Sequence, residues 1–371
     1  MLVLRPVIGR RFDPGVVGVA PLQLGAPRPI TPEALLDDPG AMLAAVELTR
    51  DRAAFVLVDR PEHVLAQPFL YDAQRAHARA VVEVPLGRLL SWAERCAPVR
   101  DPILLYSTAR SGSTLLVRAL DRIDGMLGVS EPDAFTQLAE HPAFTRDPRC
   151  VALLRACTTL LFGSRRRAAR LALKFRTQVL AIGAQLHAAW PTAPAVFLRR
   201  PLVPSVESYA HAFVDARRWR LERTALFRAW LRLRIANDGY GIAPQLWPPA
   251  GRPDAAALAE LGPAYHAVAY WWSACGWAAR LRGSGVDLLE LDYDTLVGAH
   301  EQTIAAVLAH AGEDPRRAAE SLPAFAEPSQ QGAQHVRARG PSPRLQPRDV
   351  AKLRELLRNH GARLGVDASA R

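Results

Sequence analysis

The chain of 371 residues is long enough for one large α/β domain with an appendage. Its composition, 49% hydrophobic and 22% charged, excludes a disordered or fibrous protein. The net charge is +11, yet only Lys174 and Lys352 of the 47 basic residues are lysines. Apart from residues 165–167 and the predicted helix at 217–234, the arginines are scattered, and they show no aromatic platform pattern. We therefore expect no nucleic-acid partner, and we attribute part of the charge to a basic cleft for a polyanionic ligand.

The cysteines and the apolar stretches indicate the cellular compartment in which the protein is expected to lie. The four cysteines show no CxxC pair or other metal-ligand spacing, which indicates free thiols and predicts no metal site. The first residues are interrupted by Pro6 and by three arginines, unlike a signal peptide. The most apolar later stretch, residues 265–281, is shorter than a membrane span. We expect a cytoplasmic protein without membrane contact, and its oligomeric state stays open.

Residues 1–98 contain no chemical motif and predict an N-terminal extension of uncertain fold that acts as a lid or docking surface. Residues 1–40 are rich in Pro and Gly and predict a loop-dominated arm. One short helix should begin in this arm after Thr31, because a proline and an acid follow it. Residues 53–58 predict a strand, whereas the apolar pattern of 76–82 fits a helix or a strand.

A buried strand, a small-residue turn and a helix are predicted in succession from residue 103 onward. The apolar run 103–106 is typical of a strand in a parallel sheet, and apolar residues at helical spacing follow from Ser113. This geometry aims free backbone N–H groups at an anion. Gly112 permits close approach, Thr114 adds a hydroxyl group and Arg110 adds a fork-shaped cation. The turn is therefore predicted to be an oxyanion-binding loop.

Strands and helices alternate through residues 99–371, which predicts a three-layer α/β domain with a central parallel sheet and helices on both faces. Ligand groups collect beyond the carboxyl ends of such strands. Arg110, Lys174 and the pair Arg199-Arg200 all follow predicted strands. The predicted elements after the loop are a helix at 148–162, a strand at 171–175, a helix at 177–190, a strand at 195–198, a helix carrying Ser205 and Ser208, a helix at 217–235, a strand at 287–293 and helices at 301–311 and 348–360.

The loop TARSGST lacks the lysine of a nucleoside-triphosphate loop, because Ser113 stands where GxxxxGK[ST] places that lysine. The loop resembles instead the 5′-phosphosulfate loop of the sulfotransferases that use 3′-phosphoadenosine 5′-phosphosulfate (PAPS). The likeness extends from about residue 102 to about 340. It implies a P-loop-type strand, loop and helix in which the donor's 5′-phosphosulfate is bound by Arg110, Ser111, Gly112, Ser113 and Thr114.

The stretch FLRRPLVPSVES is similar to the family's 3′-phosphate signature, a strand ending in Arg-x-Pro and a helical serine eight residues after the arginine. Pro201 points to Arg199 as the matching arginine, whereas the spacing to Ser208 points to Arg200. Counting from Arg199 reaches Glu207, an acid that would repel phosphate. The resemblance therefore favours Arg200 with Ser208, and Arg199 stays a second candidate.

Two later segments complete the resemblance. SQQGAQHVRARG is similar to the family's basic loop over the 3′-phosphate, which implies Arg337 and Arg339 as further donors. LLELDYDTL resembles a strand and helix that are structural in the family. The Gly- and Pro-rich residues 236–254 predict a loop insertion, which we interpret as a substrate lid.

The acceptor must lose a proton as its oxygen attacks sulfur, so a general base is needed. Cytosolic family members use a histidine two residues after a strand-end lysine; Lys174 matches that lysine, but Arg176 replaces the histidine. Glu131 follows Arg110 by 21 residues, which resembles the base of tyrosylprotein sulfotransferases and of some bacterial members. A helix-start acid or a salt-bridge partner is the alternative interpretation of Glu131.

The resemblance implies a sulfotransferase that moves a sulfuryl group from PAPS to a hydroxyl, or secondarily an amine, of a small-molecule acceptor. Its catalytic residues would be Arg110, Lys174 and Glu131, and no metal is required. Two alternatives stay open: a non-catalytic nucleotide-binding or scaffold protein of the same fold, and an ATP-dependent small-molecule kinase. Arg176 in the histidine position favours the first alternative, and the missing loop lysine disfavours the second.

Overall fold

The computed structural model describes residues 1–11, 18–96, 99–162, 170–213, 224–238, 243–248, 253–327 and 345–361. These residues form two sheets, an antiparallel sheet near the N-terminus and a parallel sheet after it. In the antiparallel sheet the strand order is β2-β1-β6-β5-β4, and β3 also pairs with β1. Its strands are β1 (Leu2–Arg10), β2 (Leu22–Leu24), β3 (Arg28–Ile30), β4 (Ala41–Glu47), β5 (Arg52–Val58) and β6 (Ala78–Pro85).

The prediction of a loop-dominated arm over residues 1–40 is wrong, because β1 is a nine-residue strand that contains Pro6. The outer side of β1 pairs with β3 before Pro6 and with β2 after it. The Pro6 carbonyl accepts a hydrogen bond from Gly25 N at 2.8 Å on this same side. Pro6 has no N–H to donate, and it lies at the point where β1 stops pairing with β3 and starts pairing with β2. The strand can therefore continue through the proline.

Four helices accompany the antiparallel sheet. The helix predicted after Thr31 is present, and the Thr31 side chain accepts a hydrogen bond from Ala34 N at its start. The segment 76–82, ambiguous in sequence, contains the end of a helix and the start of β6. The helices are α1 (Pro32–Asp37), α2 (Pro61–Leu65), α3 (Leu70–His77) and α4 (Leu86–Arg95).

Five parallel strands form the second sheet, in the order β11-β10-β7-β9-β8. Four of them match the predicted strands to within one or two residues, whereas β8 was not predicted. These strands are β7 (Ile103–Ser107), β8 (Met126–Ser130), β9 (Arg170–Lys174), β10 (Ala195–Arg199) and β11 (Leu288–Asp292).

Helices connect and cover the parallel strands. Residues 177–190, predicted as one helix, begin as a 3₁₀ segment (Thr177–Ile182) and continue as an α-helix. The helices are α5 (Ser113–Asp121), α6 (Asp133–Glu140), α7 (Cys150–Thr159), α8 (Gly183–Ala189), α9 (Leu202–Phe213), α10 (Ala225–Asp238), α11 (Ala255–Glu260), α12 (Tyr265–Gly283), α13 (Tyr293–Gly298), α14 (His300–His310), α15 (Pro323–Ala326) and α16 (Pro347–His360).

Alternate residues of β7 enter two separate cores, as expected for a sheet covered on both faces. Ile103 and Leu105 pack in a cluster with residues of α5 and α14. Leu104 and Tyr106 belong to a larger cluster that also contains the buried residues of β4 and β5. The N-terminal sheet and one face of the parallel sheet therefore share a continuous core. Within the described ranges, no helix has both the length and the hydropathy needed to cross a lipid bilayer.

The segment 236–254 is only partly a loop. Its first residues complete α10, which ends at Asp238. Residues 243–248 pack into the core, where the Leu246 carbonyl accepts a hydrogen bond from Trp277 Nε1 at 2.8 Å. For these described residues the substrate-lid prediction is wrong, because Leu246, Trp247 and Pro248 are buried and none of the six residues lines the cavity described below.

Candidate functional site

A cavity of about 730 Å³ lies beyond the carboxyl ends of β7, β9 and β10, where a parallel sheet collects ligand groups. Four cationic side chains and two carboxylates line it, so its charge favours an anionic ligand. These charged groups are Arg110, Lys174, Arg176, Arg200, Glu131 and Glu140.

The loop after β7 wraps one end of the cavity in a strained conformation. Arg110 and Gly112 both have positive φ, at 60° and 83°. Arginine rarely adopts this left-handed region, and such strain persists mainly at functional sites. A side chain at Gly112 would also bring its Cβ within 2.9 Å of the Tyr293 ring. The loop therefore needs glycine both for its backbone conformation and for close approach to α13.

The helix α5 starts directly after this glycine, and its first N–H groups are among those that an α-helix leaves without an intrahelical partner. Ser113 and Thr114, the first two residues of the helix, line the cavity. Ser111 also lines it, but its hydroxyl donates to the Thr108 carbonyl at 2.8 Å and so serves to hold the turn. The loop provides a helix N-terminus, two hydroxyl groups and one arginine in a single concave surface.

Arg200, and not Arg199, joins this loop. The Arg200 side chain donates to the Arg110 carbonyl at 3.2 Å and lies over the Tyr293 ring at 4.3 Å. Arg199 points instead to Asp292 on the neighbouring strand β11, at 3.4 Å, and does not line the cavity. Successive residues at the end of β10 face different sides, which explains why only one arginine of the pair reaches the site.

Ser208 reaches the same end of the cavity from α9. Its Oγ accepts a hydrogen bond from Arg110 Nε at 3.1 Å. One turn earlier, Ser205 Oγ donates to the Ala109 carbonyl at 2.7 Å and ties α9 to the loop. Ser208, eight residues after Arg200, and Arg200 itself therefore both contact Arg110.

Glu131 lies over Lys174 because β8 runs parallel to β9 beside it. The Glu131 N–H donates to the Lys174 carbonyl at 2.7 Å, which continues the ladder one residue beyond β8. The chain then turns, with a Glu131 φ of 56°, before Pro132. This turn returns the Glu131 carboxylate to form a hydrogen-bonded ion pair with Lys174 Nζ. The side chains of Glu131 and Lys174 are 15% and 5% exposed, so the pair is largely desolvated.

Arg176 holds the other side of the Glu131 carboxylate. Its Nε lies 3.3 Å from Glu131 Oε2, and its Nη2 lies 3.2 Å from a carboxylate oxygen of Asp133. The guanidinium also stacks on the Tyr71 ring, with Cζ 4.0 Å from the ring centroid. Arg176 therefore holds Glu131 between two cations, itself and Lys174.

The N-terminal region supplies part of this ionic cluster. Asp133 is buried and accepts hydrogen bonds from Gly18 N at 2.9 Å and from Arg75 at 2.7 Å. Tyr71, on the same helix α3 as Arg75, lines the cavity together with Phe69. The extension expected to be only a lid or docking surface is therefore part of the cavity wall.

Burial and neighbouring charges shift the pKa values in the cluster. Burial lowers the pKa of Lys174, and the Glu131 carboxylate opposes this shift. Burial also lowers the pKa of Arg110, with a second contribution from the charge of Arg200. The pKa of Asp133 is raised by burial, and Arg176 opposes that shift. Each shift reflects the cost of placing a charge away from water.

Another part of the cavity lining is aromatic and carries the second carboxylate. Tyr209, Tyr270, Gln178 and Glu140 line it. Tyr270 is hydrogen-bonded to Gln178, and burial raises its pKa to about 12, with further contributions from Tyr209 and Glu140. This wall can bind an organic group next to the Glu131 cluster.

Some of these residues carried a sequence signal and some did not. Tyr293 lies in LDYDTL but was interpreted as purely structural, whereas Tyr71 and Glu140 lie in stretches without a motif. Arg337 and Arg339 lie outside the described residues. Among the residues that the structure covers, no three His, Cys, Asp or Glu side chains cluster as metal ligands.

No family model and no curated protein sequence matches the chain. Distant similarity exists to solved sulfotransferase structures. The sulfotransferase from Alicyclobacillus acidocaldarius is 17% identical, with a TM-score of 0.41, and the match covers 73% of this chain and 99% of that one. The sulfotransferase domain from the curacin biosynthetic pathway is 13% identical, with a TM-score of 0.37 and coverages of 64% and 82%. Sulfotransferase STF1 from Mycobacterium tuberculosis H37Rv is 14% identical, with a TM-score of 0.34 and coverages of 66% and 80%.

Proposed function

We propose that the protein is a sulfotransferase that moves a sulfuryl group from PAPS to a hydroxyl group of a small-molecule acceptor. An amine is the secondary acceptor group. The observation that carries the proposal is the convergence of an oxyanion loop, Arg200, Ser208 and a lysine–glutamate pair in one cavity. At such low similarity to the solved structures, the proposal depends on these residues rather than on the shared architecture.

The donor fits the loop end by its charge and by its donor groups. The first N–H groups of α5, Ser113, Thr114 and Arg110 suit the 5′-phosphosulfate. Arg200 and Ser208, which contact Arg110, suit the 3′-phosphate. Gly112 lets the loop adopt its positive φ and pack against the Tyr293 ring at the cavity, where a Cβ would come within 2.9 Å of that ring. A site of this kind binds a bisphosphate without a metal ion.

The chemistry requires one proton transfer and one exchange of bonds at sulfur. Glu131, in the cavity wall, takes the proton of the acceptor hydroxyl as the acceptor oxygen forms a bond to sulfur. The bond between sulfur and the phosphate oxygen of the donor breaks, and its electron pair stays on the bisphosphate. Arg110, the loop N–H groups and Lys174 stabilise the charge on this leaving oxygen. The ion pairs of Glu131 with Lys174 and Arg176 hold the carboxylate in a defined orientation for this step.

Two alternatives compete with this proposal. A kinase would need a lysine on the terminal phosphates of ATP, and Ser113 occupies that loop position. A non-catalytic nucleotide-binding protein is favoured by one observation, namely that Glu131 is engaged by two cations as a structural carboxylate would be.

A product assay separates the three possibilities. The protein is incubated with PAPS and a mixture of hydroxylated small molecules, and sulfated products are identified by mass spectrometry. A parallel reaction contains ATP and magnesium. Sulfated product supports the proposal, and phosphorylated product supports the kinase. Bisphosphate binding without either product supports the non-catalytic alternative, and Lys174→Met is the inactive control because it removes the leaving-group cation.

A further inference from the structure

Glu140 is an acid in an unfavourable position for folding. It is the last residue of α6, where the helix dipole disfavours a negative charge, and no basic residue lies in that last turn. Its backbone carbonyl accepts a hydrogen bond from Gln245. Within the described parts of the chain, its carboxylate makes no ion pair or hydrogen bond. Burial raises the pKa of Glu140, with opposition from Arg176.

The surroundings of Glu140 suit an organic cation. Glu140 lines the cavity beside Tyr209 and Tyr270, whose ring faces are the kind of surface that binds ammonium groups. Gln178 is hydrogen-bonded to Tyr270 and holds that ring in place. Arg176 is the nearby cation that affects Glu140, but it already pairs with two other carboxylates. A ligand cation would therefore neutralise a carboxylate that is paired with none of the residues the structure describes.

We propose that the acceptor carries an ammonium or guanidinium group, and that Glu140, Tyr209 and Tyr270 bind this group. The inference rests on the proposed function, in which the acceptor hydroxyl faces Glu131 while Glu140, in the lining of the same cavity, holds the cation. The class of acceptor is thus an amino alcohol, an aminophenol or a related cationic alcohol. Glu140 is a specificity residue in this assignment and takes no part in proton transfer.

The test uses two series of probes that differ only in charge. One series is tyramine, 4-ethylphenol and 4-hydroxyphenylacetate; the other is 6-amino-1-hexanol, 1-hexanol and 6-hydroxyhexanoate. Binding is measured calorimetrically, with and without saturating 3′,5′-adenosine bisphosphate, for the wild-type protein, Glu140→Gln and Glu140→Asp. The exposed Glu94→Gln, on α4 outside the cavity, is the matched control for loss of one negative charge.

We expect at least one amine to bind about tenfold or more tightly than its neutral analogue, as for a contact with a charged partner. Glu140→Gln should remove this preference, whereas Glu140→Asp and Glu94→Gln should keep it. The proposal is overturned if neither amine is preferred, if the preference survives in Glu140→Gln, or if that variant loses bisphosphate binding equally. Failure of the proposed function is a separate result, in which the bisphosphate does not bind while the Glu140-dependent amine preference is still measured.

Discussion

The two ends of the cavity are built in different ways. The donor end comes from one continuous loop, residues 108–114, joined by Arg200 and Ser208, and the charged side chains among them are all cations. The opposite end is an ionic cluster of both signs, in which Glu131 pairs with Lys174 and Arg176. Its residues come from segments that are far apart in the chain, including the N-terminal helix α3.

This difference separates binding from chemistry. An end with unbalanced positive charge and free N–H groups suits a fixed anion. An end with balanced charges holds one carboxylate in a defined place, as a base requires. Substitutions at the donor end should therefore change bisphosphate affinity, and substitutions at the opposite end should change turnover.

The largest expected effect is that of Glu131→Gln, which keeps the shape and removes the basicity. With an acceptor found in the product assay, turnover should fall by about 10²–10⁴ while bisphosphate affinity stays nearly unchanged. Asp133→Asn is the control, because Asp133 belongs to the same cluster but does not line the cavity. An equal loss of turnover in both variants would mean that Glu131 has a structural role.

Next in size is the effect of Arg200→Ala on bisphosphate binding. We expect affinity to fall by about 1.5–3 kcal/mol, the range for hydrogen bonds to charged groups. Arg199→Ala is the matched control, because Arg199 lies beside it in sequence but points to Asp292. Calorimetric titration compares the two, and a larger loss in Arg199→Ala would contradict the assignment of the 3′-phosphate site.

A smaller effect should follow from Gly112→Ala. Gly125 has a similar φ, 68° against 83°, but a Cβ there would meet nothing within 4 Å. Gly125→Ala should therefore cost only the backbone strain, about 1–2 kcal/mol. Gly112→Ala adds a clash with the Tyr293 ring, and overpacking of this kind costs about 1–3 kcal/mol more.

Chemical unfolding measures both glycine variants, and bisphosphate titration is the second readout. Only Gly112→Ala should weaken bisphosphate binding, because only this glycine lies at the cavity. Equal losses of stability together with unchanged binding would show that Tyr293 does not confine the loop.

The smallest effect concerns pH and Glu140. Burial raises the pKa of this carboxyl above its ordinary 4.5, so the folded protein holds the proton more tightly than the unfolded chain does. The carboxylate therefore costs stability as pH rises from 4.5 through the raised pKa. Glu140→Gln lacks this loss, so its free energy of unfolding relative to wild type should increase as the pH rises above the ordinary carboxyl pKa of 4.5. A difference between the two proteins that does not change with pH would contradict the burial of this group.

Local signals predicted the donor end. The loop, the strand before it and the helix after it are contiguous, so apolar runs and small residues were enough to place Arg110 and Ser113. Ser208 was found through the resemblance, which implies a helical serine eight residues after the arginine. The position of Glu131 near Lys174 was also anticipated, although the strand β8 that produces it was not.

Long-range contacts account for what the sequence did not predict. The stacking of Tyr71 on Arg176 joins helix α3 to the segment that follows β9, about a hundred residues later in the chain, and leaves no local pattern. The strand β1 was not predicted, because a proline such as Pro6 usually interrupts a strand. Pro6 is tolerated in β1 because the outer partner changes from β3 to β2 at this residue. Glu140 carries no motif and becomes notable only because its helix ends in the cavity wall. The membership of the sulfotransferase family stays a prediction from the resemblance.

Thermal unfolding with two ligands tests the central claim most directly, namely that this cavity is a PAPS site. Bound ligand raises stability by mass action, so 3′,5′-adenosine bisphosphate should raise the unfolding temperature well beyond ATP with magnesium. Arg110→Ala should lose most of this stabilisation. Equal or greater stabilisation by ATP with magnesium, or a bisphosphate effect that survives in Arg110→Ala, would contradict the account.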